Sequence, residues 1–245
     1  MKVYKYLLAL TVLAIFASCS TTPSSSGGGG GTVVSSSSSS TPTSYVDPVI
    51  ATLTNEVIVL CSDDTTLGTP MDVDYNNPNS TTTHAVRFDP WGGGNATAYL
   101  AATTETDEHL NVIQVDVAGS SGWGGGAGFQ LTNNGLTQGT NLTRFANGYI
   151  VLDVKLPAGS PNFKITIENG AYPNAVTSAE IIIGAGTYGE SKNGMWHSIA
   201  IPISHFLNGT YTQSHLANVA SPFQIRTLDM TGSATFYVDR IYWAR

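Results

Sequence analysis

The chain has 245 residues, of which only 11% are charged, and its formal net charge at pH 7 is −7. Its few lysines and arginines form no cluster, which excludes nucleic acid as an expected partner. A weakly charged surface rich in glycine, threonine, asparagine and serine suits uncharged glycans or cations, and it would repel strongly anionic polymers.

Residues 1–18 predict a secretory signal of the lipoprotein type. The basic start Met-Lys-Val-Tyr-Lys precedes an apolar run that is too short for a permanent membrane span. Phe16-Ala-Ser-Cys19 is similar to the bacterial lipobox, with Phe16 in place of the usual leucine. The resemblance implies a diacylglycerol on the Cys19 thiol, whereas the alternative is ordinary signal cleavage. Ser20 after the cysteine implies sorting to the outer membrane of a Gram-negative bacterium.

Residues 19–44 predict a lipidated cysteine followed by a disordered linker. From residue 20 to 44 the chain is almost entirely Ser, Thr, Gly and Pro, which cannot bury apolar surface. A flexible linker of this length has a root-mean-square reach of roughly 25–30 Å. We expect membrane contact through the lipid anchor alone. With Cys19 acylated, Cys61 is the remaining thiol, and its apolar surroundings predict a small buried side chain.

Residues 45–245 predict one all-β domain with glycine- and asparagine-rich turns between short strands. A single helical turn is expected at His215–Ala220. Strands at this spacing indicate a sandwich or jelly roll. The predicted strands are Val57–Cys61, His84–Phe88, Thr97–Ala101, Val112–Val117, Gly126–Leu131, Tyr149–Lys155, Phe163–Glu168, Glu180–Ile183, Trp196–Ile203, Phe223–Leu228 and Ala234–Trp243.

An acidic, turn-rich segment begins at Ser62 and ends at Tyr75. Carboxylate oxygens at this density are the ligands that calcium prefers, although the spacing does not fit an EF-hand loop. The alternative is a solvated loop of Asx turns. Asp239 could join the acids of this segment or pair with Arg240 or Arg226. The predicted ligands of one structural calcium are Asp63, Asp64, Asp72, Asp74 and Asp239.

Two tryptophans lie in glycine-rich strings, Asp-Pro-Trp91-Gly-Gly-Gly and Ser-Gly-Trp123-Gly-Gly-Gly. Sugar rings pack their C–H faces on aromatic rings, while nearby polar side chains bond the hydroxyls. The alternative is that these indoles fold back as plugs at the ends of a sandwich. Trp196 and Trp243 follow the strand pattern and are expected in the core. The predicted carbohydrate-binding residues are Trp91, Trp123, Tyr75, Tyr172 and Tyr188.

The string Gly194-Met-Trp-His-Ser-Ile-Ala-Ile-Pro-Ile-Ser-His-Phe206 predicts a strand with one buried face. Pro202 favours an edge or a strand end. With Ala220-Ser-Pro-Phe-Gln-Ile225 and the closing segment 232–243, this string resembles galactose-binding-like β-sandwiches. It looks in particular like the C-terminal module of ExoP-type family 3 glycoside hydrolases and related carbohydrate-binding modules. The resemblance implies a galactose-binding-like jelly-roll β-sandwich that binds a neutral glycan such as a β-glucan.

No complete catalytic motif is present in the sequence. Glu105-Thr-Asp107-Glu108 begins like the family 16 glycosidase strand, but Leu110 stands where its last glutamate belongs. The five histidines show no ligand spacing, and His197 and His205 are expected at the surface.

The sequence therefore predicts a non-catalytic envelope lipoprotein for polysaccharide utilisation. Its expected partners are polysaccharides or oligosaccharides, together with envelope glycoside hydrolases or transporters. The alternatives are a small jelly-roll glycoside hydrolase or polysaccharide lyase, and a structural surface lipoprotein without glycan specificity.

Overall fold

The computed structural model describes residues 44–53, 56–74, 86–91, 96–103, 109–118, 126–131, 139–170, 175–227 and 232–245. Among them no helix is long and apolar enough to cross a membrane. The short 3-10 helices are Pro48–Thr52, Thr65–Leu67, Thr143–Phe145, Ile203–Phe206 and Gln213–Asn218. The strands are β1 Tyr45–Val46, β2 Val57–Cys61, β3 Val73–Asp74, β4 Val86–Trp91, β5 Ala96–Ala102, β6 Asn111–Ala118, β7 Gly126–Leu131, β8 Tyr149–Lys155, β9 Phe163–Asn169, β10 Val176–Thr177, β11 Ile181–Ile183, β12 Trp196–Pro202, β13 Val219–Arg226 and β14 Ser233–Ala244.

The described strands form two seven-stranded sheets that pack as a sandwich. Sheet A has the order β1-β12-β8-β14-β6-β5, with β2 also paired to β14. Sheet B has the order β10-β9-β13-β7-β4-β3, with β11 also paired to β9. The pairs are antiparallel apart from the two-residue pairs β1–β12 and β3–β4. This architecture confirms the predicted all-β sandwich.

The main core lies between the sheets, and in strands such as β9 core residues alternate with outward-facing ones. In β9, Phe163, Ile165 and Ile167 face the core and are fully buried. Lys164, Thr166 and Glu168 therefore face outward. The rings of Phe163 and Phe236, one from each sheet, stack with centroids 4.6 Å apart, so the two inner faces meet through aromatic contacts. Cys61 and Phe206 are buried in this core, as predicted.

A second, smaller apolar cluster lies on the outer face of sheet A. It contains Val59, Val151, Ala200, Tyr242 and Ala244, with Val49 and Ile50 packed against it. The 3-10 helix Pro48–Thr52 supplies that cover, and its first turn is capped by Asp47, which accepts a 3.0 Å hydrogen bond from the Val49 N–H. The N-terminal segment of the domain therefore shields one part of this outer face from water.

The strand β12 corrects two predictions about single residues. Ile199 and Ile201 face the core, so Trp196 faces outward, where it is partly exposed and stacks on His109 with centroids 4.0 Å apart. His197 shares the inward side with Ile199 and is only 2% exposed, although it was expected at the surface. Its Nε2 lies 2.9 Å from Asn193 Oδ1, and burial lowers the pKa of the imidazole. Trp243 is buried as predicted, and His205 is exposed.

Candidate carbohydrate-binding site

The outer face of sheet B brings together an indole, amides and charged groups from four adjacent strands. We call it the Trp91 face. Its first row runs through the paired residues Trp91, Gly126, Arg226 and Lys164. Its second row runs through Asp89, Gly128, Gln224 and Thr166. The Trp91 face consists of Arg87, Asp89, Trp91, Gly126, Gly128, Gln130, Lys164, Thr166, Glu168, Gln224 and Arg226.

Trp91 is the last residue of β4, and its indole lies directly over Gly126. A Cβ atom added to Gly126 would be 2.6 Å from Trp91 Cζ2 and 2.1 Å from the Ile225 carbonyl oxygen. Real Cβ atoms do not approach other atoms so closely, so the missing side chain at Gly126 is what lets the indole rest on the sheet. Trp91 is only partly buried in this position. This agrees with the sequence prediction that it is a surface aromatic.

In the second row, the missing side chain at Gly128 leaves room for Gln224 in the same way. A Cβ at Gly128 would be 2.9 Å from Gln224 Cγ. Thr166 Oγ1 donates to Gln224 Oε1 at 3.1 Å, and Gln224 Nε2 donates to Glu168 Oε2 at 2.8 Å. This chain of hydrogen bonds fixes the amide and holds the Glu168 carboxylate, which retains further acceptor sites for hydroxyl groups.

The charges of this face and its border are balanced. Arg87 Nη2 lies 3.0 Å from Asp89 Oδ2. Glu180, beside β11, accepts from Lys164 Nζ at 2.7 Å and lies 3.7 Å from Arg226 Nη1. Exposed ion pairs contribute at most about 1 kcal/mol each to stability. Their main effect here is to orient the side chains and to cancel the net charge of the surface.

Tyr188 has a different environment from Trp91. Its backbone N–H donates to Glu190 Oε2 at 2.8 Å, and the same carboxylate accepts from the N–H groups of Gly184 and Gly186. Its ring packs against the main core, and its hydroxyl lies 3.1 Å from His205 Nδ1. Burial raises the pKa of this hydroxyl. The described contacts of Tyr188 are therefore with its own loop, with His205 and with the main core, and none of these is with the Trp91 face.

The other predicted ligand-binding aromatics, Trp123, Tyr75 and Tyr172, lie outside the described residues, as do Cys19 and residues 1–43. In sequence, Tyr75 follows β3, Trp123 precedes β7 and Tyr172 follows β9. All three strands belong to sheet B. Their role in carbohydrate binding stays a prediction.

The predicted calcium ligands whose contacts are described form hydrogen bonds and ion pairs with other residues. Asp63 accepts from the N–H and the Nδ2 of Asn111 at 2.6 and 3.1 Å. Asp64 accepts from the hydroxyl and N–H of Thr66 and pairs with Arg240 at 3.1 Å. The hydrogen bond from the Thr66 hydroxyl is the main cause that lowers the Asp64 pKa.

Asp239 is fully buried, and its Oδ2 lies 2.9 Å from His109 Nδ1. His109, Asp153 and Arg240 connect it to Asp64 through ion pairs. Asp72 is exposed, and the side chain of Asp74 lies outside the described parts. Within the described part of the chain, no three histidine, cysteine or acidic side chains are grouped to hold a metal ion. One structural calcium held by Asp63, Asp64, Asp72, Asp74 and Asp239 stays a prediction.

Sequence reasoning proposed Trp91 as a binding residue but did not identify the polar side chains beside it. Gln224 and Glu168 come from strands far apart in the chain, and only the sheet order β9-β13-β7-β4 makes them neighbours. Their signal was the outward position within each predicted strand, where polar residues alternate with core residues. That pattern identifies a solvent-facing side chain without identifying its neighbours.

Comparison with known proteins identifies the family of the domain. The family model described as carbohydrate binding domain 30 matches residues 70–245, which is more than half of the chain. No curated protein matches the sequence.

Solved structures of family 30 carbohydrate-binding modules share the fold. One gives a TM-score of 0.54 at 13% identity, covering 77% of this chain and 98% of that module. A second gives 0.50 at 16% identity, covering 77% and 87%. The family 30 module of a cellulosomal cellulase of Clostridium thermocellum gives 0.49 at 16% identity, covering 77% and 97%. The chain therefore belongs to the carbohydrate binding domain 30 family, and it binds carbohydrate without catalysing a reaction on it.

Proposed function

We propose that the Trp91 face binds an uncharged polysaccharide such as a β-glucan. The observation that carries this proposal is the indole of Trp91 seated on Gly126, in register with a fixed row of polar side chains. An aromatic ring packs against the C–H-rich face of a sugar ring, and amides and carboxylates bond its hydroxyls. The balanced charges of the face favour a neutral chain over an anionic one.

Three further aromatics extend this proposal. Tyr75, Trp123 and Tyr172 each adjoin a strand of sheet B in sequence. We place them as additional contacts for the same polysaccharide. The suggestion of a β-glucan, and the relation to the ExoP-type module, come from the resemblance of the segment from Tyr149 to Trp243. They are supported by the shared β-sandwich fold and by nothing more specific.

The site is proposed to act at the cell envelope. Residues 1–18 would direct export, Cys19 would carry the lipid, and residues 20–44 would tether the domain at the outer membrane of a Gram-negative bacterium. Held there, the domain would keep polysaccharide near partner glycoside hydrolases and transporters. The support for this placement is the sequence pattern alone.

The test of the binding face is affinity gel electrophoresis of the purified protein in gels that contain neutral or anionic polysaccharides. We expect retardation by a neutral glucan or galactan. Trp91→Ala should weaken binding by about thirtyfold, because a central aromatic anchor contributes about 2 kcal/mol.

The matched control is Tyr99→Ala, which removes an aromatic side chain that is 43% exposed on the outer face of sheet A. It should leave retardation unchanged. The proposal is contradicted if Trp91→Ala migrates like the unmodified protein, or if an anionic polymer retards the protein more than every neutral one.

A further inference from the structure

A cavity of about 510 Å³ opens on the side of the sandwich where the edge strands β3 and β5 lie. None of the residues of the Trp91 face lines it. The acidic segment that sequence analysis singled out forms much of its wall. The cavity is lined by Leu60, Cys61, Ser62, Asp63, Thr69, Pro70, Met71, Asp72, Val73, Leu100 and Asn111.

One wall of the cavity is held rigidly by backbone hydrogen bonds. The Met71 N–H donates to the Val59 carbonyl at 2.9 Å, and the Val86 N–H donates to the Asp72 carbonyl at 3.1 Å. The segment around Met71 is therefore hydrogen-bonded both to β2 and to β4. Only two of its residues form a strand, which is β3. A wall fixed in this way is formed before any ligand arrives.

The opposite wall comes from β5 and the start of β6. Leu100 pairs with Ile113 in the ladder between these strands. Asp63 connects the two walls, because its carboxylate accepts both the N–H and the side-chain amide of Asn111. These two bonds fix the orientation of the carboxylate and of the amide at the rim. Each oxygen of Asp63 retains acceptor capacity for a further donor.

The lining combines an apolar floor with a polar rim. Met71, Val73 and Leu100 offer C–H surface, while Asp63, Asp72 and Asn111 offer acceptors and a donor for hydroxyl groups. Small-molecule sites in proteins are typically mostly apolar pockets of about 300–1,000 Å³ with a few placed polar groups. Among the described lining residues there are two carboxylates and neither lysine nor arginine, so an anionic ligand such as a uronate would be repelled.

We propose that this cavity is a second carbohydrate site, which binds one neutral hexose unit. The C–H face of the sugar packs on the floor, and its hydroxyls donate to the carboxylates at the rim. This site is separate from the Trp91 face and does not depend on it. The protein would therefore engage a polysaccharide along the sheet and a single sugar unit at the edge of the sandwich.

The test is titration of the purified full chain with methyl α- and β-hexosides of glucose, galactose and mannose, followed by NMR chemical shifts or calorimetry. We expect at least one of them to bind. Leu100→Trp fills the cavity and should abolish binding, whereas Leu110→Trp, at an exposed position that does not line the cavity, should not. Asp63→Asn should weaken binding at least tenfold. Melting curves establish that each variant is folded.

Trp91→Ala separates the two sites. It should leave hexoside binding unchanged while it weakens retardation by polysaccharide. The cavity proposal is overturned if no hexoside binds, if Leu100→Trp leaves binding intact, or if Trp91→Ala abolishes it. It is also overturned if methyl glucuronide binds as tightly as the neutral sugars, or if calcium chloride alone binds there and the sugars do not. The Trp91 face alone is overturned if the unmodified protein binds a hexoside but is retarded by no polysaccharide, or if Trp91→Ala leaves retardation unchanged while hexosides still bind.

Discussion

At Gly126 and Gly128 the absence of a side chain shapes the binding face. Trp91 and Gln224 occupy the space where a Cβ atom would otherwise project from β7. Each glycine weakens its strand slightly, because glycine loses more conformational freedom on folding than other residues. The gain is a low surface on which an indole and an amide can lie side by side. The glycines of β7 are therefore part of the site although they offer no functional group.

We expect Gly128→Ala to lower both stability and glycan affinity. The new methyl group would meet Gln224 Cγ at 2.9 Å and Ser221 Oγ at 3.2 Å, and overpacking of this kind costs about 1–3 kcal/mol. Moving Gln224 would also break its bond to Glu168. Urea unfolding and affinity electrophoresis measure the two effects. Gly209→Ala is the control, since a Cβ there has no atom within 4 Å. Equal behaviour of the two variants would contradict the role given to Gly128.

Asp153 and Asp239 are buried carboxyls, and their effect on the pH dependence of stability is opposite in sign to that of Asp64. Burial raises the pKa of both, although His109 and Arg240 pull the values down in part. A carboxyl group with a raised pKa stays protonated to a higher pH in the folded protein than in the unfolded chain. The contribution of such a group to the free energy of unfolding therefore falls as pH rises from the unfolded pKa, about 3.9, through the folded pKa.

Asp239→Asn should remove this fall with pH. Between pH 4 and pH 6, the free energy of unfolding of the unmodified protein should decline relative to that of the variant as pH rises. Asp64→Asn is a control of opposite sign, because the Asp64 pKa is lowered. Asp64 contributes stability above its unfolded pKa that is lost as pH falls through the folded pKa. Urea unfolding between pH 4 and pH 6 measures the slope for Asp239, and unfolding below about pH 4 measures the opposite slope for Asp64. Parallel curves for all three proteins in both ranges would refute the argument.

Among the elements, β14 organises sheet A because it pairs with three other strands. Residues Ser233–Val238 pair with β6, residues Ile241–Ala244 pair with β2, and β8 runs along the opposite side. The change of partner occurs at Arg240, which has a φ of 47°. Among the described residues it is the sole non-glycine residue with positive φ. Its side chain spans Asp64 and Asp153, at 3.1 and 3.4 Å.

We expect Arg240→Gly to be more stable than Arg240→Ala. Both variants lose the same ion pairs, but alanine keeps the left-handed backbone that costs a residue with a Cβ roughly 1–2 kcal/mol. In an ordinary strand position the order would be reversed. Thermal melting of the two variants measures their order of stability. A higher melting temperature for the alanine variant would contradict backbone strain at this position.

Strand prediction succeeded where alternation was regular and failed where pairing was irregular. The predicted bounds of β2, β7 and β8 agree with the structure. The predicted strand Phe223–Leu228 begins too late, because β13 already starts at Val219. Ser221 and Pro222 suggest a turn, yet register shifts in the pairing with β9 accommodate them within the strand. The errors at Trp196 and His197 arose because residue type was followed instead of alternation, since Ile199 and Ile201 place His197 on the core side and Trp196 on the outer side.

At the scale of the whole molecule, the sequence could not supply the order of the strands. The fold class follows from many short alternating segments, and the prediction of Trp91 as a surface aromatic follows from its glycine-rich surroundings. The Trp91 face required the placement of β4, β7, β13 and β9 side by side. That order depends on the packing of both sheets around one core, which no local pattern encodes.

The proposed lipid anchor is also a property of the whole chain. Cys19→Ala should move the protein from the membrane fraction to the soluble fraction of a Gram-negative host, because the variant cannot carry the proposed lipid. Fractionation, with mass spectrometry of the N-terminal peptide, measures the change. Cys61→Ala is the control, since Cys61 is a buried thiol of the core. An unmodified Cys19 in the mature chain would refute lipidation.

The balanced charge of the Trp91 face has a consequence for the surroundings in which the protein can work. Added salt shortens the range of electrostatic forces from about 10 Å at 0.1 M to about 3 Å at 1 M. A protein that holds a charged polymer through opposite charges loses affinity over that range. Contacts between an indole and a sugar ring involve no net charge and release no counterions. Binding at this face should therefore be nearly the same in dilute and in saline water.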